Sequence, residues 1–188
     1  NASCTTNCIA PIAAVIHSKF QILKAAMTTA HAYTADQNLQ DGPHKDLRRA
    51  RSAAVSIVPT STGAAIATTE AIPELAGLFD GIALRVPVPV GSISDFTFLV
   101  SKKTTVEEVN DALIEASKSD RYKGILAVSD DPIVSSDIVG RTESAIADLP
   151  LTKVIDGDMV KVFAWYDNEL GYSHRLIEQV IRVGKHGV

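Results

Sequence analysis

Short apolar runs interspersed with amphipathic helices, in no regular strand-helix-strand beat, predict an α+β chain: a mixed, largely antiparallel sheet covered on one face by helices. Two segments carry that prediction. Ser94 to Val100 sets Phe96, Phe98 and Val100 on one face in strict alternation, as a half-buried strand requires. Thr105 and Glu108 stand at capping-box spacing ahead of Val106, Val109, Leu113 and Ala116, which share one face of a helix, with Glu107, Asp111, Glu115 and Lys118 on the other.

The remaining elements follow from the same periodicities. Thr5 to Phe20 places Ile9, Ile12, Ala13, Ile16 and Phe20 at helical spacing, with Pro11 early enough to be tolerated or to bend the helix slightly. Ile22 to His31 is a compact apolar run that predicts a buried strand ending on His31. From Ala32 to Ser52 periodicity is lost among Asp36, Gln37, Asn38, Asp41, Gly42 and Pro43, predicting a long irregular loop of the kind that is usually functional or interfacial. Pro59 to Gly63 reads as a turn and Ala64 to Ala71 as a short helix stopped by Pro73. Gly81 to Val90, Gly124 to Val128, Lys153 to Ile155 and Met159 to Trp165 read as further strands. Glu169 to Lys185 closes the chain as a helix with Leu176, Ile177, Val180 and Ile181 at helical spacing.

A chain of 188 residues suffices for one well-buried domain, and 46% hydrophobic residues is ordinary for a globular protein. Apart from Lys45 to Arg51 the positive residues are dispersed, and the net charge of -4 argues against a dedicated nucleic-acid surface. No apolar stretch approaches the ~20 residues needed to span a bilayer, and no signal peptide opens the chain. The two cysteines, Cys4 and Cys8, share a helix face at a spacing unsuited to an unstrained disulfide, which predicts a reducing, cytoplasmic setting. No metal site is expected.

Three features point to covalent chemistry on an anionic substrate. Cys4 stands at the start of the first helix, where free backbone N–H groups and the positive end of the dipole favour a thiolate. Such a thiol needs a base, and of His17, His31, His44, His174 and His186 only His31 is delivered by a buried strand to the edge of a long loop. Arg85, in the apolar run Ile82 to Val90, must meet either an internal carboxylate or a bound anion. Ser3 and Thr5 beside Cys4, and Ser61-Thr62-Gly63 ahead of the helix at Ala64, offer hydroxyls and free amides that suit phosphate, although a hydroxyl there also serves as a plain N-cap. None of the 11 glycines forms a G-x-G-x-x-G fingerprint.

Six segments occur in an order that resembles a known family: Ser3-Cys4-Thr5-Thr6-Asn7-Cys8, His31-Ala32-Tyr33-Thr34, Asp46-Leu47-Arg48-Arg49-Ala50-Arg51, Ser61-Thr62-Gly63-Ala64-Ala65, Leu84-Arg85-Val86-Pro87 and Trp165-Tyr166-Asp167-Asn168-Glu169. The whole chain resembles the C-terminal, catalytic half of phosphorylating glyceraldehyde-3-phosphate dehydrogenases of bacterial type. That resemblance implies Cys4 as the nucleophile and His31 as its base. It implies Ser3, Thr5, Thr62 and Gly63 at an inorganic-phosphate site, and Thr34, Asp36, Arg49 and Arg85 at the site for the phosphate of glyceraldehyde 3-phosphate. Asn168, with Tyr172 nearby, would contact the nicotinamide of NAD, and the loop from Ala32 to Ser52 would lie beside the cofactor of a neighbouring subunit in a homotetramer.

On this reading residues 1 to 188 form the catalytic domain, and the N-terminal NAD-binding Rossmann domain is absent. The start at Asn1, with a motif at its edge and no initiator Met, reads as a cut, and the isolated chain is expected to be inactive. Val88-Pro89-Val90-Gly91-Ser92-Ile93-Ser94 departs from the family's commoner Thr-Pro-Asn-Val-Ser-Val-Val, with little expected effect on chemistry. Pro43 resembles NAD-preferring members. The competing readings are an erythrose-4-phosphate dehydrogenase, which usually lacks the Tyr-Thr after the histidine and the Ser-Thr-Gly-Ala-Ala turn, a Cys/His hydrolase, and an assembly module without activity.

Overall fold

The computed structural model describes residues 1 to 186. Its elements, in order, are α1 (Cys4–Phe20), β1 (Ile22–Ala32), β2 (Val58–Ser61), α2 (Ala64–Ala71), β3 (Phe79–Val86), β4 (Ser92–Val100), α3 (Val106–Lys118), β5 (Leu126–Ser129), β6 (Ala145–Asp148), β7 (Lys153–Ile155), β8 (Met159–Tyr166) and α4 (Leu170–His186). The strands form one sheet in the order β2-β3-β1-β4-β8-β6-β5, with β7 added to β8. Only β1 with β3 and β5 with β6 run parallel. The mixed, largely antiparallel sheet predicted from sequence is thus what forms.

Helix α1 begins where Ser3 Oγ accepts the Thr6 N–H at 2.9 Å, and ends where Gln21, at φ 59°, donates its N–H to His17 O. Pro11 lies inside it without ending it, and its ring is buried with Ile9, Ile12, Ala13 and Ile16 against the sheet. Strand alternation supplies the other half of the core. Phe96, Phe98 and Val100 of β4 and Val160, Val162, Ala164 and Tyr166 of β8 point to the helices. Lys24, Asp95, Thr97 and Lys161 occupy the opposite, open face, where Lys161 Nζ donates to Asp95 Oδ1 at 2.6 Å. Helix α3 carries the predicted capping box, Glu108 N–H to Thr105 Oγ1 at 3.2 Å and Thr105 N–H to Glu108 Oε2 at 3.1 Å.

Two expectations are corrected, and the structure adds two features that were not expected. Pro59 to Ser61, read as the start of a turn that runs to Gly63, instead joins Val58 in an edge strand, a position that tolerates Pro59. Ala145–Asp148 pairs between β5 and β8 although its short, alanine-containing sequence shows no periodicity. Val106 is exposed, and the core-facing side of α3 is Val109, Ala112 and Leu113, with Ile114 and Ala116 partly buried against the same core. α4 forms as a helix as read, and its apolar residues Leu176, Ile177, Val180 and Ile181 are all exposed. Strand bounds at β3 and β5 shift by a few residues, Pro87 ending the first. The His186 side chain lies outside the described residues.

Candidate active site

The topology explains why residues far apart in sequence meet. α1 packs across β4 and β8 and aims its N-terminus toward the sheet edge where β1 and β3 end together. Their parallel register sets His31 directly beside Arg85. Cys4 Sγ lies 3.3 Å from His31 Nε2. Of the histidines whose side chains are described, only His31 reaches a cysteine. His17 Nδ1 accepts the Ile22 N–H and His44 Nδ1 the Asp46 N–H, while His174 lies by Glu178.

The imidazole Nδ1 sits between a backbone carbonyl and a guanidinium. His31 Nδ1 is 2.7 Å from Ala32 O, and Arg85 Nη1 is 2.7 Å from the same nitrogen and 3.1 Å from the same carbonyl. With the proton assigned to Nδ1, both Nδ1–H and Arg85 Nη1–H donate to Ala32 O, which as a carbonyl accepts two hydrogen bonds. Nε2 then carries a lone pair facing Cys4, the geometry of a base for its S–H. Burial, followed by the neighbouring Arg85 cation, holds the His31 pKa down to about 4. It is therefore neutral at pH 7.

This has a consequence for stability. The unfolded chain protonates its histidine near 6.5 and the folded one near 4, so between those values the unfolded state binds the extra proton, and stability falls as pH drops through that window. From His31 alone, urea unfolding should show a loss of about 2 kcal/mol between pH 7 and pH 5. A free energy that does not fall over that interval would contradict a buried neutral imidazole.

Behind Cys4 the support is a hydroxyl chain that sequence reading missed. Thr5 Oγ1 and Thr29 Oγ1 each lie 2.9 Å from Tyr166 OH, and Thr29 donates onward to Ile93 O at 3.2 Å. Tyr166 is 1% exposed, its ring packs edge-on to His31 at 5.9 Å, and burial pushes its hydroxyl pKa well above the usual value. Its core-facing parity on β8 was the available signal, but such a tyrosine reads as packing. Cys8, one turn beyond Cys4, is fully buried with its Sγ 3.9 Å from Ala164 O, and burial pushes its thiol up. Both cysteines are free.

The remaining residues fall into two groups. Arg49 Nε donates to Thr60 Oγ1 at 2.7 Å, Nη1 pairs with Asp36 Oδ2 and Nη2 reaches Ser61 O, which puts the guanidinium beside the Thr62-Gly63 turn. Thr62 Oγ1 accepts the Ala64 N–H at 3.2 Å, opening α2. Ser3, though it caps α1, shares the cysteine's end of that helix. Arg85 is half-buried, burial lowers its pKa, and among the described residues no carboxylate pairs with it, so the internal salt-bridge alternative is not met. Asn168 is buried, its Oδ1 accepting from Gly91 N–H at 3.1 Å and Ser92 Oγ at 3.0 Å. Asp167 beside it caps α4, Oδ1 accepting from the Glu169 and Leu170 N–H groups. Thr34 and Tyr172 are half-buried, and no side-chain bond joins either to Cys4 or His31.

Residues 3–168 match the family model described as glyceraldehyde 3-phosphate dehydrogenase, C-terminal domain. The chain belongs to that family. Over 185 residues it is 60% identical to a protein named glyceraldehyde-3-phosphate dehydrogenase from Mycobacterium tuberculosis and 59% identical to one from Mycobacterium leprae. A protein named glyceraldehyde-3-phosphate dehydrogenase 1 from Streptomyces avermitilis is 55% identical over 184 residues. Each alignment covers 98% of this chain and 54% of the relative, so this glyceraldehyde-3-phosphate dehydrogenase C-terminal domain spans about half the length of the curated relatives it matches. Among the described residues no helix is long and apolar enough to cross a membrane.

Proposed function

We propose that this chain is the catalytic half of an enzyme that oxidises and phosphorylates glyceraldehyde 3-phosphate to 1,3-bisphosphoglycerate with NAD, in glycolysis. The observation that carries this reading is Cys4 Sγ at 3.3 Å from His31 Nε2, with Arg85 on the far side of the ring. His31 Nε2 takes the Cys4 proton, the sulfur adds to the aldehyde carbon as the C=O π bond opens, and Nε2 hands the proton to the resulting oxygen, giving a hemithioacetal. NAD, when bound, supplies the hydride acceptor. As the C–H bond breaks with its electron pair, Nε2 takes the hydroxyl proton and the carbon becomes the carbonyl of a thioester on Cys4. A phosphate oxygen then forms the new C–O bond, the C–S bond breaks, and Cys4 leaves as a thiolate.

Arg85, with no carboxylate partner, supplies the fixed cation for the substrate's phosphate, aided by Thr34, Asp36 and Arg49. Ser3, Thr5, Thr62 and Gly63 bring hydroxyls and helix-start amides to inorganic phosphate. Toward the cofactor, Asn168 fits a nicotinamide carboxamide: its Oδ1 is occupied and its Nδ2 makes no hydrogen bond among the described residues. Tyr172 stands one turn further along α4. The rest of the NAD site is assigned to an N-terminal Rossmann domain, and the exposed aliphatic face of α4 suits a covering domain. The open sheet face, with Leu39, Leu47, Val55 and Ile57 exposed on the long loop and its continuation, suits assembly into a homotetramer. A nucleophilic thiol needs reducing conditions, in keeping with a cytoplasmic setting.

The hydrolase reading is disfavoured because His31 Nδ1 rests on a backbone carbonyl where a hydrolase would use an orienting Asn or Asp. In the full-length protein, NADH formation from glyceraldehyde 3-phosphate should continue past one turnover only when phosphate is present. Sustained turnover without phosphate, or preference for erythrose 4-phosphate, would overturn the assignment.

A further inference from the structure

Ser92 has been given no role in the site, yet it ties the site's two ends together. It is fully buried at the start of β4, opposite Tyr166 on β8. Its Oγ accepts the backbone N–H of Ala32, the residue after His31, at 3.1 Å and donates to Asn168 Oδ1 at 3.0 Å. The Gly91 N–H donates to the same Oδ1 at 3.1 Å. Gly91 holds φ +95°, and a Cβ there would stand 2.4 Å from Ser135 O, so the family's commoner valine at this position meets a backbone that only glycine accepts without strain.

A side-chain amide has one accepting end and one donating end. Two donors converge on one end of Asn168, and one of them is a backbone amide whose proton cannot be redirected. Turning the carboxamide over would set its NH2 against that proton. We propose that Ser92 is a positioning residue for hydride transfer: with Gly91 it locks the Asn168 amide so that Nδ2 alone is offered to the cofactor, which fixes the face of the nicotinamide that receives the hydride. The same hydroxyl couples this lock to the His31 strand through Ala32. The inference rests on the assignment of Asn168 to the nicotinamide made above.

The test uses the full-length protein and its Ser92→Ala variant, with glyceraldehyde 3-phosphate deuterated at C1, and reads which face of C4 carries deuterium in the reduced cofactor. The expected result is a KM for NAD raised about tenfold, a smaller fall in kcat, a detectable minority of deuterium on the second face, since the Gly91 N–H still opposes turning the amide, and an unchanged rate of Cys4 alkylation. A parent-like KM with one face only overturns the proposal. So does alkylation slowed in step with kcat, which would confine Ser92 to support of the His31 strand. If Ser92→Ala does not fold, Ser92→Cys keeps the volume with a poorer donor and is held to the same readouts. A parent protein that reduces no NAD defeats the enzymatic reading itself, whereas an active parent with an indifferent variant defeats only this inference.

Discussion

Cys4→Ser in the full-length protein should lower phosphate-dependent turnover by on the order of 10⁴-fold or more while leaving the fold intact. The substitution is nearly isosteric at a half-exposed helix start, so packing changes little. A hydroxyl, however, is a far weaker nucleophile than a thiolate in the same surroundings, and an oxygen ester would not be as readily opened by phosphate. The same asymmetry separates the two cysteines. Iodoacetamide at pH 7 should modify Cys4 much faster than Cys8, because Cys4 is accessible beside a base while Cys8 is fully enclosed with its thiol pushed up by burial. Labelling at equal rates, or at Cys8 first, would remove the claim of an activated thiol.

His31→Asn should cost about 10²- to 10⁴-fold in kcat, the usual contribution of a positioned general base. Two signatures distinguish this from a packing defect. Alkylation of Cys4 should slow at pH 7, since the lone pair 3.3 Å away is gone. The pH dependence of stability should also flatten between about 6.5 and 4, because the group with the depressed pKa has been removed. A variant that loses turnover but keeps the parent's alkylation rate would place His31 in structure alone.

The elements that sequence made legible are those whose signal is local. The capping box of α3, the apolar spacing of α1 and the alternation of β4 depend on neighbours within a few residues, and all three form as read. β6 was not legible because four residues alternate too briefly to register, and β2 because Pro59 disguises an edge strand as a turn. The face of α4 could be read as apolar but not as exposed, since spacing within a helix does not say whether another element packs over it, and among the described residues none covers Leu176, Ile177, Val180 and Ile181.

The site divides in the same way. Cys4 and His31 advertise themselves by position, one at a helix start and one at a strand end. What long-range pairing does to them was not visible: the parallel register of β1 and β3 sets Arg85 against the imidazole, and no spacing of 54 residues announces that. Tyr166, Ser92 and Gly91 were overlooked because a tyrosine, serine or glycine on a strand reads as packing until its partners are known.

The most direct measurement is peptide mass spectrometry of the full-length protein after mixing with glyceraldehyde 3-phosphate and NAD in the absence of phosphate. The expected result is an acyl group on the peptide carrying Cys4, at up to one per chain and formed together with NADH, which disappears on addition of phosphate. NADH formed with no acyl group on Cys4, or an adduct on Cys8 instead, would contradict it.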